Sequence, residues 1–100
     1  MKTFPDGLVV VVKGDCQTCR MIQPVMTKLA GGQIPFTVLT QDDPEFLSGV
    51  TKVIDDTKLA YSYQLNIEVV PTLMRVENGR EIKRIIGWNR KEWRQFTGIA

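Results

Sequence analysis

The chain has 100 residues, enough for one domain and too few for two domains sharing a cleft. Hydrophobic residues make up 43% and charged residues 24%, a globular balance that excludes a disordered or fibrous chain. The net charge of +2 is too weak to grip nucleic acid, and with no histidine the Ser–His and Cys–His catalytic pairs are excluded.

Charge is unevenly distributed. Residues 41–70 carry six acids and two bases, whereas residues 71–100 carry seven bases and three acids. Two differently solvated faces account for this, with a specific docking surface as the alternative. The longest apolar run, Leu8 to Val12, is far short of a bilayer span. No signal-peptide pattern opens the chain, so a soluble cytoplasmic protein without membrane or nucleic-acid partners is the default expectation.

In chain order, Met1 to Phe4 is either a short strand or a frayed end, and Pro5-Asp6-Gly7 signals a turn. Leu8 to Val12 suits a strand covered on both faces. Lys13-Gly14-Asp15 is a loop, and Cys16 opens a helix whose apolar stripe is Met21, Ile22, Val25, Met26 and Leu29. Pro24 should kink that helix, and Gly31-Gly32, residues that tolerate left-handed backbone, should end it. Ile34 to Thr40 reads as a second strand. Residues 45–54 carry little signal. Asp55 or Asp56 is an N-cap candidate for a helix running to about Gln64, with Asn66 left-handed after it. Thr72 to Val76 and Arg80 to Ile86 form a hairpin about Asn78-Gly79. Asn89 and Glu92 have capping-box spacing for a last helix, with Trp93, Phe96 and Ile99 on its apolar face. The order β–α–β–α–β–β–α implies a mixed sheet of four or five strands with helices on both faces.

Chemistry must run on cysteine. Chance alone would place two cysteines three apart in about 2% of arrangements, so the spacing of Cys16 and Cys19 is informative. At a strand–helix junction the first sulfur meets unpaired amide N–H groups that favour its thiolate. Cys16 would attack a substrate disulfide and Cys19 would resolve the mixed disulfide.

Here the chain resembles the thioredoxin superfamily. The run Cys16-Gln-Thr-Cys-Arg-Met-Ile-Gln-Pro24 is similar to that family's active-site helix, with Arg20 after the second Cys and a kinking proline at family spacing. Val70-Pro71-Thr72 resembles the segment holding its cis-proline. Asn78-Gly79 and Gly87 fit its final hairpin and the glycine near its active site. The resemblance covers the chain except residues 43–56, which read as an insertion. It implies one thioredoxin-like α/β domain and a thiol–disulfide oxidoreductase acting on protein disulfides or thiols. It also implies a reductase or small-thiol electron donor, a monomer and no cofactor. Val70, Pro71, Gly87 and Trp88 would meet substrate, the Val70 backbone pairing with an extended segment.

The departures bear on tuning. Asp15 replaces the family's tryptophan, and its charge beside Cys16 would disfavour the thiolate, placing the couple on the reducing side. Gln17 and Thr18 differ from the family's Gly-Pro, and Lys13 and Arg20 flank the pair. Val10 and Val38 stand where the family buries an Asp and its Lys partner, so Cys19 lacks its customary proton acceptor. Arg75, in a strand normally buried, should reach an edge or an acid. Two other readings stay open: a redox-sensing or partner-binding module, and a metal site shared by two Cys-x-x-Cys units across a dimer.

Overall fold

The computed structural model describes residues 4–98. Its sheet has five strands in the order β3-β2-β1-β4-β5. The central strand β1 (Gly7–Val12) pairs in parallel with β2 (Phe36–Thr40) and antiparallel with β4 (Thr72–Glu77). At one edge β3 (Val53–Asp55) runs parallel to β2; at the other, β5 (Arg80–Ile86) returns antiparallel to β4. The expected mixed sheet with helices on both faces is therefore what the chain builds.

The alternation of β1 feeds two cores. Leu8, Val10 and Val12 face one side, joined by Phe36, Val38 and Leu73. On that side pack α1 (Gln17–Met21), α2 (Gln23–Ala30) and α4 (Arg90–Thr97), through Cys19, Ile22, Met26, Leu29 and Trp93. Val9, Val11, Leu39, Met74 and Val76 face the other side, covered by Leu65 and Phe4 and by Tyr61 of α3 (Ala60–Gln64). A strand buried on both faces needs apolar residues at every position, which is why Leu8–Val12 shows no alternation.

Several expectations need correction. The single helix expected after Cys16 is two, divided at Ile22 (φ −89°, ψ 6°), because Pro24 in the first turn of α2 has no N–H to donate back across the join. Met21 is 58% exposed and leaves the apolar stripe, since the break turns it outward. Gly31 is right-handed (φ −86°), and the helix closes through bonds from the Gly31 and Gly32 amides to the last-turn carbonyls. The second strand starts at Phe36, because the Pro35 carbonyl accepts the Leu8 amide at 2.8 Å before the ladder begins.

Residues 43–56 hold a one-turn 3-10 helix at Pro44–Phe46 and the unforeseen β3. Asp55 ends that strand instead of capping a helix. Asp56 is buried and does cap α3, but from outside it: its carboxylate accepts the Tyr61 and Ser62 amides, each at 2.9 Å. The strand considered for Met1 to Phe4 lies outside the described residues except Phe4, which is in no strand, and Ile99 also lies outside them.

Other local expectations hold. Asn78 (φ 55°) and Gly79 (φ 76°) make the hairpin turn, Asn66 is left-handed (φ 55°), and the Asn89 side chain accepts the Glu92 amide at 3.0 Å. Arg75 pairs with Glu77 at 3.8 Å.

Gly7 begins β1 at φ 106°, and a Cβ there would stand 2.3 Å from the Pro35 carbonyl oxygen. Both the backbone and the space demand glycine. Gly7→Ala is expected to lower unfolding free energy by at least about 2 kcal/mol, read as a fall in the urea midpoint. A loss below about 0.5 kcal/mol would show that β1 does not start under this constraint.

Candidate redox site

The site forms where three strand ends meet. Pairing of Val11 with Thr72 sets the residues before β4 beside the turn that follows β1, and pairing of Thr72 with Ile86 brings Gly87 to the same place. Residues far apart in sequence are thereby gathered around Cys16.

Cys16 is the N-cap of α1. Its backbone is extended (φ −89°, ψ 116°), and its Sγ accepts the Cys19 N–H at 3.2 Å. The Cys16 amide closes the preceding turn on the Lys13 carbonyl at 3.1 Å. The same thiol reaches the Val70 carbonyl oxygen at 3.8 Å. Both cysteines are free thiols, Cys16 half-buried and Cys19 buried. One sulfur is open to a partner; the other is a turn deeper.

Burial pushes the Cys19 thiol up to about 12 from an ordinary 9.0. The hydrogen bond to Cys16 and the negative fields of Cys16 and Asp42 act in the same direction, while a backbone bond from Lys13 opposes them. Below it the floor is apolar: Val10 and Val38 are ladder partners and fully buried.

The Val70–Pro71 peptide bond is cis, and the Pro71 carbonyl accepts the Gly87 amide at 2.7 Å. Trp88 is half-buried, its ring edge-on to Trp93 with centroids 5.1 Å apart, and the Trp93 Nε1 donates to the Gly87 carbonyl at 3.0 Å. The packing role of Trp88 is therefore visible in its contact with the last helix. Cys16, Cys19, Val70, Pro71 and Gly87 come together as the sequence suggested.

Around them the tuning residues divide. Gln17 is exposed and Thr18 half-buried in the first turn of α1. The Asp15 side chain is 71% exposed and pairs with Lys13 Nζ at 3.6 Å, so solvent and a counter-charge both screen it from Cys16. Arg20 Nε donates to the Gly14 carbonyl, and its guanidinium lies over the Phe46 ring at 5.6 Å. Neither Lys13 nor Arg20 is therefore an unengaged cation aimed at the sulfurs.

No family model matches the chain. A thioredoxin of Chlamydia pneumoniae is 27% identical over 78 residues, which span 78% of this chain and 65% of that protein. The chain thus matches less than two thirds of that relative's length. Among solved structures, Fasciola hepatica thioredoxin superposes with a TM-score of 0.68 at 21% identity, covering 93% of this chain and 81% of the other. A secreted disulfide oxidoreductase of Mycobacterium tuberculosis gives 0.69 at 10% identity, covering 91% and 78%. The fold is that of thioredoxin.

One residue at the site was not singled out in the sequence. On this thioredoxin fold, Asp42 follows β2 and accepts the Gly14 amide at 2.5 Å and the Asp15 amide at 3.3 Å. Its separation of 28 residues from Gly14 left no local signal, and an acid in the loop Gln41-Asp42-Asp43-Pro44 reads as solvated.

The two sulfurs should behave differently. At pH 8, iodoacetamide is expected to modify Cys16 quickly and leave Cys19 intact in the folded dithiol, as mass spectrometry of the Cys16→Ser and Cys19→Ser variants would show. Equal rates at both positions would contradict the burial of Cys19.

A linkage effect follows from the same thiol. Its folded-state value is raised, so the unfolded chain releases the Cys19 proton from about pH 9 while the folded chain holds it to about 12. Stability of the dithiol form should therefore fall with rising pH across that window, by at most about 1.4 kcal/mol per unit from this group. Cys19→Ala should flatten the fall in urea titrations.

Proposed function

We propose that the chain is a thiol–disulfide oxidoreductase that reduces protein disulfides. The observation that carries this is the half-buried Cys16 sulfur, seated on the Cys19 amide and beside the Val70 carbonyl. In the first step the Cys16 thiolate attacks one sulfur of a substrate disulfide. That bond breaks, a mixed disulfide forms, and one substrate thiolate leaves. In the second step Cys19 loses its proton and attacks the Cys16 sulfur. The second substrate thiol departs and a Cys16–Cys19 disulfide remains, which a reductase or small-thiol donor returns to the dithiol. The substrate gains two electrons and the cysteine pair loses them.

Val70 and Pro71 offer backbone to an extended substrate segment, with Gly87 and Trp88 bordering it. Asp15, Gln17, Thr18 and Arg20 tune the pair from around it. Residues 1–100 form a single monomeric domain, with 43–56 an insertion that supplies β3. A reducing couple belongs in a reducing compartment, which favours the cytoplasm.

A second reading has one observation in its favour. Val10 and Val38 are apolar and fully buried in the core that holds Cys19, so neither of them can take its proton, and resolution hands that proton to water or to the departing thiolate. A domain that resolves slowly suits a partner-binding module with a redox switch.

The two readings separate in one assay. Accelerated reduction of insulin disulfides by dithiothreitol, abolished in Cys16→Ser, supports the enzyme; a rate equal to that of dithiothreitol alone supports the switch. Equilibration with glutathione should give a potential toward about −270 mV, and a value above about −180 mV would reverse the direction assigned here. Cys19→Ser should accumulate partners as mixed disulfides on Cys16.

A further inference from the structure

The redox site continues into a groove of about 570 Å³ beside α3. Val70, whose carbonyl oxygen lies 3.8 Å from Cys16 Sγ, lines it, as does Lys13, whose carbonyl accepts the Cys16 amide. The rest of its apolar lining is Leu59, Tyr63, Ile67 and Val69. Six large apolar side chains stand exposed among the described residues, and three of them, Leu59, Tyr63 and Val69, meet here. None of the three belongs to either core. Apolar side chains exposed together in one place mark an interaction site.

Leu59 is the clearest case. Its backbone is left-handed (φ 61°, ψ 20°), a conformation that leucine adopts at a cost and that glycine or asparagine adopts readily. The residue stays 47% exposed, so burial does little to offset that cost. The surrounding backbone holds it there. The Leu59 amide donates to the Asp56 carbonyl at 2.8 Å, and the Leu59 carbonyl accepts the Tyr63 amide at 2.8 Å. Behind them the buried Asp56 carboxylate accepts the Ser62 hydroxyl at 2.6 Å. A strained residue kept in place at the border of a site points to a use beyond folding.

We propose that this groove is the specificity pocket of the redox site and takes an apolar or aromatic side chain lying within two residues of the substrate cysteine. This rests on the thiol–disulfide reading above and names the substrate class for it. An extended segment paired with the Val70 backbone rises about 3.3 Å per residue. Side chains up to two positions from the attacked cysteine therefore reach a groove that begins at Val70. Among its lining residues only Lys13 and Glu68 carry charge, and their signs are opposite. Lys13 is also paired with Asp15 at 3.6 Å. The lining thus has no net charge to draw a charged side chain, and its walls favour an apolar one.

The test uses the Cys19→Ser chain, in which Cys16 captures one half of a peptide disulfide while the other half leaves as a thiol. The probes are symmetrical peptide disulfides with serine around the cysteine, or with one phenylalanine placed from two residues before it to two after. At subsaturating peptide, at least one phenylalanine position should form the mixed disulfide about tenfold faster than the serine parent. Leu59→Asn and Tyr63→Ala, each made in the Cys19→Ser chain, should cut that ratio below about threefold. A general loss of reactivity, which a merely structural role would produce, leaves the ratio in place. Leu59→Asn should also keep or raise the urea midpoint, because asparagine suits the left-handed backbone. Equal rates for all peptides, or a ratio that survives either substitution in a folded chain, overturn the pocket. A midpoint lowered by Leu59→Asn would give the leucine to the fold and strike it from the pocket; Tyr63→Ala, at a position 86% exposed, then decides alone. Capture needs no turnover, so the two readings fail separately. Selective capture by a chain whose cysteine pair does not accelerate insulin reduction would sink the oxidoreductase and keep the pocket, and unselective capture with accelerated reduction would do the reverse.

Discussion

The register between β1 and β4 is the constraint on which the site depends. Because Val11 lies opposite Thr72 in an antiparallel pair, the end of β1 and the beginning of β4 fall at the same edge of the sheet. The chain leaving β1 turns into Cys16, and the chain entering β4 is Val70-Pro71. A slip of one residue would invert every side chain of β1 and exchange its two cores, sending each side chain into a pocket shaped for another. The 3.8 Å approach of Cys16 Sγ to the Val70 carbonyl is a consequence of strand pairing. No contact local to the helix could produce it.

The same packing makes the two thiols unequal. Cys19 belongs to the core that contains Val10, Val38 and Trp93, and its burial is the main reason its proton is held so tightly. Cys16, one turn earlier, caps the helix from its rim. An apolar floor stabilises the domain at the point where a buried carboxylate would otherwise have to be kept charged. The side chains of that floor, Val10 and Val38, offer no proton acceptor to Cys19.

Much of this was legible because the informative signals were local. The run Leu8–Val12, the Asn78-Gly79 turn, the Asn89–Glu92 cap and the Cys16–Cys19 spacing each specify their structure within a few residues. What stayed illegible depended on distant partners. Val53-Ile54-Asp55 is too short to show a period, and it becomes a strand only because β2 offers an unpaired edge. Asp56 is a helix cap by function, but the three residues between it and Ala60 hide the spacing by which caps are recognised. Met21 fits the apolar stripe of an unbroken helix and falls out of it once Ile22 divides that helix. Each failure marks a place where tertiary contact overrode a local pattern.

The two acids near Cys16 show why adjacency in sequence is a poor guide to electrostatics. Asp15 precedes the cysteine directly, yet its side chain extends into solvent and meets Lys13, so water and a counter-charge both weaken its field. Asp42 is 26 positions away in sequence, yet two backbone amides of the redox turn hold its carboxylate in one place. What decides between them is how firmly each charge is fixed and how much water surrounds it. On both counts the distant residue is the more firmly placed beside the turn that leads into Cys16. The segment that carries it, between β2 and β3, thereby packs on the turn before Cys16 as well as leading to an edge strand.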